Sequence, residues 1–82
     1  ETRGKGMGEE ALSLFADHLF KTRVLSRIQY QTRVENIAMK RIGEKVGFTV
    51  EGTLRSYRFD QGMFRDYYMI AMTKEDWINK VK

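Results

Sequence analysis

The 82 residues leave room for a single domain near the lower limit of what buries a core of its own, and exclude a second domain. With 41% hydrophobic residues, 32% charged residues and no Pro, the composition is globular; without Cys there is neither a disulfide nor a thiolate metal site, and His18, the one histidine, cannot build a zinc site alone. No apolar run approaches the roughly 20 residues of a membrane span, and the net charge of +4 points to an anionic partner, whether nucleic acid, phospholipid surface or phosphorylated small molecule.

In chain order, residues 1–8 carry Gly4, Gly6 and Gly8 and read as a glycine loop feeding a helix over 9–20. There Ala11, Leu12, Phe15, Ala16 and Leu19 recur at helical spacing, with Glu9 and Glu10 in the first turn, where the helix dipole favours them. Residues 24–32 read as a strand with Val24, Ser26, Ile28, Tyr30 and Thr32 on one face and Leu25, Arg27, Gln29 and Gln31 on the other. Asn36 is placed as an N-cap; Ala38, Met39, Ile42 and Val46 then form an apolar stripe opposite Lys40, Arg41, Glu44 and Lys45, until Gly47 ends the helix. A strand over 48–59, a turn at Asp60-Gln61-Gly62 and an apolar run over 67–73 follow, the run suiting a strand covered on both faces. Residues 74–82, with Trp77, Ile78 and Val81 at helical spacing, predict a short terminal helix or a frayed tail, and the order of elements predicts an α/β fold.

The segment Arg3-Gly4-Lys5-Gly6-Met7-Gly8 presents backbone amides, unshielded by Cβ atoms, at a helix N-terminus, an arrangement that holds phosphate; a turn that merely starts a helix is the alternative. A Walker A loop is excluded because Lys5 is followed by Gly6, and the dinucleotide pattern because its last glycine falls on Glu9. His18 has no second ligand or triad partner and is given a structural role. Tyr57, Phe59, Phe64, Tyr67 and Tyr68 with Arg55, Arg58 and Arg65 could stack on single-stranded nucleic acid, but the RNP1 pattern is absent and nucleic acid is not the expected partner.

Arg3-x-x-Gly6-x-Gly8 resembles the R/Q-x-x-G-x-G/A signature of the GNAT N-acetyltransferases. The succession Asn36-Ile37-Ala38-Met39, Glu44-Lys45-Val46-Gly47-Phe48, Glu51-Gly52, Leu54-Arg55, Gly62 and Asp66 resembles their ribosomal-protein, RimJ/RimL-like branch over nearly the whole chain. The resemblance implies that residues 1–82 are one partial domain, the C-terminal, acetyl-CoA-binding half of a GNAT fold, ordered helix-strand-helix-strand-strand with a mixed sheet and an antiparallel hairpin. It implies a cytoplasmic enzyme that moves an acetyl group from acetyl-CoA to a primary amine, a protein N-terminus being the first expectation, with no metal. A non-enzymatic coenzyme-A-binding or interaction module is the alternative.

By the same resemblance Arg3, Gly4, Lys5, Gly6, Met7 and Gly8 hold the coenzyme pyrophosphate and Asn36 the pantetheine arm, while Lys45 or Lys40 approaches the outer phosphate unless it belongs to a solvated helix face. The chain departs from the pattern at Met39, where the branch commonly has Ser, and at Gly43, where some relatives carry a Tyr general acid, so no proton donor is assigned. Glu51 is the one carboxylate nominated as a base, its alternative being an ion pair with Arg55 or Lys45; Asp66 is expected to stabilise a turn. The strand that precedes the glycine loop in the family, and the elements of its amine pocket, have no counterpart in these residues. Were Glu1 the true start, the edge exposed in place of that strand predicts self-association, as a dimer or by swapping.

Overall fold

A computed structural model describes the backbone of residues 3–81 and the side chains of residues 8–80. The elements are α1 (Arg3–Thr22), β1 (Arg27–Arg33), α2 (Ile37–Val46), β2 (Thr49–Asp60), β3 (Met63–Thr73) and α3 (Lys74–Val81). The strands form one sheet in the order β1-β3-β2, with β3 antiparallel to both neighbours. Instead of the expected mixed sheet, the described strands pair antiparallel throughout: β1 and β2 run in the same sense, but the returning arm of the hairpin lies between them.

The core lies where one sheet face meets the helices. Register places Ile28 opposite Met72, Tyr30 opposite Ile70, Thr32 opposite Tyr68 and Val50 opposite Ile70, and this face joins Ala16 and Phe20 of α1, Val46 of α2, and Phe48. The alternation expected for β1 holds at Ile28, Tyr30 and Thr32, although the strand begins at Arg27, not Val24, which is fully exposed. β3 begins at Met63, four residues earlier than expected, because the hairpin pairs up to its turn. Gln61 and Gly62 both have positive φ, 53° and 86°, as a two-residue hairpin turn twisted to match its strands requires. The apolar run ends in Ile70, Ala71 and Met72, all buried on the central strand.

The glycine segment departs from expectation: α1 begins at Arg3, so Gly4, Gly6 and Gly8 lie inside the helix and not in a loop before it. Glycine lowers helix stability without forbidding the helical backbone. Glu9 and Glu10 are therefore one to two turns in, beyond the first turn, and Glu9 is held by Lys45 at 3.3 Å. The buried stripe of α1 runs through Leu12, Ala16 and Phe20, while Phe15 is 54% exposed and His18 is exposed, its carbonyl accepting the Thr22 hydroxyl at 2.7 Å.

Asn36 and Gly47 bound α2 as expected. Asn36 Oδ1 accepts the Met39 amide at 3.2 Å, and Gly47, at φ 117°, ends the helix in the left-handed region. Lys74–Val81 are helical, residue 82 lying outside the described residues, and Thr73 and Asp76 form a reciprocal capping box at the helix start: Asp76 N–H donates to Thr73 Oγ1 at 3.0 Å and Thr73 N–H to Asp76 Oδ2 at 3.1 Å. Trp77 of α3 then stacks on Phe20 with ring centroids 5.4 Å apart and donates its indole N–H to Asp17 at 2.8 Å. Among the described residues no helix is long and apolar enough to cross a membrane.

Candidate functional site

A cleft of about 460 Å³ opens where β1 ends and α2 begins, lined by Gln31, Thr32, Arg33, Glu35, Asn36 and Tyr67. Three backbone hydrogen bonds shape it. Val34 N–H donates to the Asp66 carbonyl at 3.1 Å, tying the strand end to β3, while Asn36 N–H donates to the Arg33 carbonyl at 2.9 Å and Ile37 N–H to that of Glu35 at 2.9 Å, turning the chain into α2. Asp66 also stabilises its surroundings as expected, but at a bulge and not at the hairpin turn: its carboxylate accepts the Ser56 amide at 2.8 Å, where Ser56 has φ 51° and the β2 register shifts. Beside the cleft, Tyr67 packs against Tyr57 with centroids 5.4 Å apart, and the Arg58 guanidinium lies 5.9 Å from each ring.

The cleft's charges are unevenly matched. Arg33 Nη1 donates to Asp60 at 3.2 Å, whereas its Nε lies 3.5 Å from Glu35 Oε1, is buried, and has no hydrogen-bond partner. Asn36 serves two roles at once: Oδ1 caps α2, and the side chain lines the cleft, leaving its amide N–H₂ as a donor there.

The helices above the cleft share a sense. Gly8 lies so close to Ile42 that a Cβ would come 2.9 Å from Ile42 Cδ1, and the next residue, Glu9, pairs with Lys45, three positions beyond Ile42. Ser13 meets Lys80, whose stem lies against Gly47. Following both helices backwards, the N-terminal ends at Arg3 and Asn36 face the same end of the molecule. A helix beginning at Arg3 commits the amides of Met7 and Gly8 to carbonyls one turn back, so the amides left without a partner inside it are those of Arg3, Gly4, Lys5 and Gly6. The expected set centred on Lys5 to Gly8 thus shifts toward the chain start; the side chains of Arg3, Lys5 and Met7 lie outside the described residues.

The remaining sequence candidates lie elsewhere. Lys45 lines a second cleft of about 310 Å³ among α1, α2 and α3, and with Asn36 and Lys45 nine positions apart on α2 the two are roughly 14 Å apart. Lys40 is paired with Glu44 at 3.4 Å and lies over the Tyr68 ring. Glu51 is in an ion pair, with Arg27 at 2.8 Å and not with Arg55 or Lys45. That pair sits at the start of β1, roughly 13–20 Å along the strand from the cleft, so the cleft carboxylate is Glu35. Sequence reasoning missed Glu35 and Arg33; their position at the end of a strand, just before the Asn36 cap, was the available signal. Among the described residues no three His, Asp or Glu side chains converge as a metal site.

Tyr30 ties the site to the core. Its hydroxyl donates to the Met39 carbonyl at 3.0 Å and occupies the space above Gly43, where a Cβ would lie 2.1 Å away. Burial, reinforced by the Glu44 carboxylate, pushes this phenol above its ordinary value and keeps it protonated.

Residues 1–49 match the family model described as the acetyltransferase (GNAT) domain. The chain is 31% identical over 74 residues to the uncharacterized N-acetyltransferase p20 of Bacillus licheniformis, covering 90% of this chain and 42% of the relative. It is 32% identical over 78 residues to the ribosomal protein uS5-alanine N-acetyltransferase of Escherichia coli, covering 92% and 39%. Its fold superposes with TM-score 0.85 and 26% identity on spermidine N-acetyltransferase from Vibrio cholerae in complex with CoA and spermine, covering 93% of this chain and 45% of that one. The chain therefore spans under half the length of the proteins it matches.

Proposed function

Because the chain belongs to the GNAT acetyltransferase family, we propose that it is the acetyl-CoA-binding part of an N-acetyltransferase of the RimJ/RimL-like kind, acting on a primary amine. The observation that carries this reading is the shared sense of α1 and α2, which turns the leading amides of α1, at Arg3, Gly4, Lys5 and Gly6, and the side chain of Asn36 toward one end of the molecule. Acetyl-CoA supplies a thioester open to attack by an uncharged amine. The residues fit it: the helix end offers N–H donors and a positive dipole to the pyrophosphate, and the Asn36 amide offers N–H donors to a pantetheine carbonyl. Gly8 adds close packing of α1 on α2, since a side chain there would displace Ile42. Lys45, on the second cleft, is the cation offered to the outer phosphate once it leaves Glu9.

Protein N-terminal amines are the first acceptor class, in line with the name of the Escherichia coli relative, and polyamines the second, in line with the Vibrio cholerae complex. The reading is tested by calorimetric titration of the chain with acetyl-CoA. Saturable binding is expected, and Gly6→Glu should weaken it about tenfold or more by placing a carboxylate in the first turns of α1, against the bound phosphates. A chain that stays folded and takes up no acetyl-CoA would overturn the assignment.

Self-association belongs to the same proposal. Among the described residues β1 has a neighbour on one side only, and the hairpin end exposes Phe59 and Phe64, paired edge to face at 5.2 Å, together with Met63. Light scattering should give a mass above the 9.7 kDa of one chain, falling back toward it in the double variant Phe59→Ser, Phe64→Ser. A wild-type chain that stays monomeric at high concentration would refute it.

A further inference from the structure

The β2–β3 hairpin sets two arginines against each other. Register places Arg58 of β2 directly opposite Arg65 of β3, and like charges at opposed positions of an antiparallel pair destabilise it. Among the described residues neither arginine pairs with a carboxylate, whereas Arg27 and Arg33 each do. The acids nearest in the hairpin are already engaged: Asp60 accepts from Arg33 at 3.2 Å, and Asp66 accepts the Ser56 amide at 2.8 Å.

Both guanidinium groups are held in place. Arg65 donates from Nε to the Asp60 carbonyl at 3.1 Å and from Nη2 to that of Gln61 at 3.5 Å. Arg58 lies 5.9 Å from the centroids of both Tyr57 and Tyr67, and Tyr57 sits in the irregular stretch of β2 beside Ser56. Stacking engages the faces of a guanidinium and leaves the N–H donors in its plane for a ligand. Alternation turns Arg65 and Tyr67 to the sheet face away from the helices, and Phe59 and Phe64 to the other, so the arginine pair is separate from the apolar hairpin end. An anion between Arg58 and Arg65 converts their repulsion into two charge-assisted contacts, and the planar fork of Arg matches a carboxylate. Single-stranded nucleic acid fits less well, because Arg58 takes up aromatic surface of Tyr57 and Tyr67 on which bases would stack.

We propose that Arg58 and Arg65 form a carboxylate site, on the sheet face away from the helices, that takes an acidic segment of a peptide. Tyr67 joins this pair to the β1–α2 cleft, which it also lines. The purpose of the site rests on the acetyl-transfer reading: the segment is the part of an acceptor protein that follows its N-terminal amine, and the same two positive charges turn polyamines away. Arg58 is a binding residue that selects among acceptors.

The test is an amide-shift titration of the chain, at neutral pH and low salt, with a short peptide amide bearing glutamate at its second and third positions. The same peptide with glutamine there, spermidine, and a single-stranded RNA oligonucleotide are titrated separately. The glutamate peptide should saturate shifts at Tyr57, Arg58, Arg65 and Tyr67, and bind about tenfold more tightly than the glutamine peptide. Arg58→Gln should remove that preference, and Arg58→Lys, which keeps the charge but not the fork, should restore part of it. Equal affinity for the two peptides, a preference that survives Arg58→Gln, or tighter binding of spermidine or RNA at these residues would each overturn the proposal. An Arg58-dependent preference in a chain that takes up no acetyl-CoA would uphold the carboxylate site and sink the acetyl-transfer reading; acetyl-CoA uptake without the preference would do the reverse.

Discussion

Ile70→Ala is expected to cost roughly 4 kcal/mol of stability, the largest loss foreseen for a single substitution in this chain. Ile70 is wholly buried on the central strand, opposite Tyr30 on one neighbour and Val50 on the other, with its Cγ2 about 3.3 Å from where a Gly43 side chain would begin. Three elements converge on it, so the space left by truncation cannot be filled by the shift of one side chain, and the cavity adds to the lost transfer energy. A domain this small has roughly 4–12 kcal/mol in total, so urea denaturation should show the variant partly unfolded in buffer or with a midpoint well below that of the wild type. Ile78→Ala, at a position 41% exposed on α3, should stay within about 1 kcal/mol. Comparable losses at the two positions would mean that the core is not organised around β3.

Gly43→Ala should destabilise by roughly 2 kcal/mol, even though Ala is the better helix former by about 1 kcal/mol. The new methyl group would sit 2.1 Å from the Tyr30 hydroxyl, and Tyr30 can retreat only by giving up its bond to the Met39 carbonyl and its packing against Phe48, at 5.5 Å between ring centroids. Tyr30→Phe alone should cost about 1 kcal/mol for the lost hydrogen bond. Combined, the two should be less harmful than their sum by about 1 kcal/mol or more, because the Phe ring leaves Cζ at 3.3 Å, tight but tolerable. Strict additivity would show that the Tyr30 hydroxyl does not occupy this space. A pH series separates the hydroxyl further. The folded state holds this proton more tightly than the unfolded chain does, so its contribution is fully present below the ordinary value of 10.0 and is lost as pH rises past it. Wild type should lose more stability than Tyr30→Phe between neutral pH and about pH 11.

This contact also bears on the site. The departure at Gly43 is compensated sterically: a phenol arriving from β1 fills the position that the helix leaves empty, and pins β1 to α2 just behind Asn36. Spacing along α2 could not reveal it, because the partner is 13 residues away on another element.

What the sequence determined by itself is what depends on neighbours in the chain. The period of Ile28, Tyr30 and Thr32, the Asn36 cap, the left-handed Gly47 and the Gln61-Gly62 turn each follow from local backbone preference, and each was legible. The glycine signature, carried by resemblance, pointed to the family, although the pattern could not show that the helix runs back through it to Arg3. Tertiary structure decided which charges are neutralised. Arg27 takes Glu51 and Arg33 takes Asp60 across sequence separations of 24 and 27 residues, and the first of these pairings holds the nominated base away from the β1–α2 cleft. Periodicity fixes which face a side chain takes, but an ion pair depends on which strand lies beside which, and that order is set only when β3 folds back between β1 and β2.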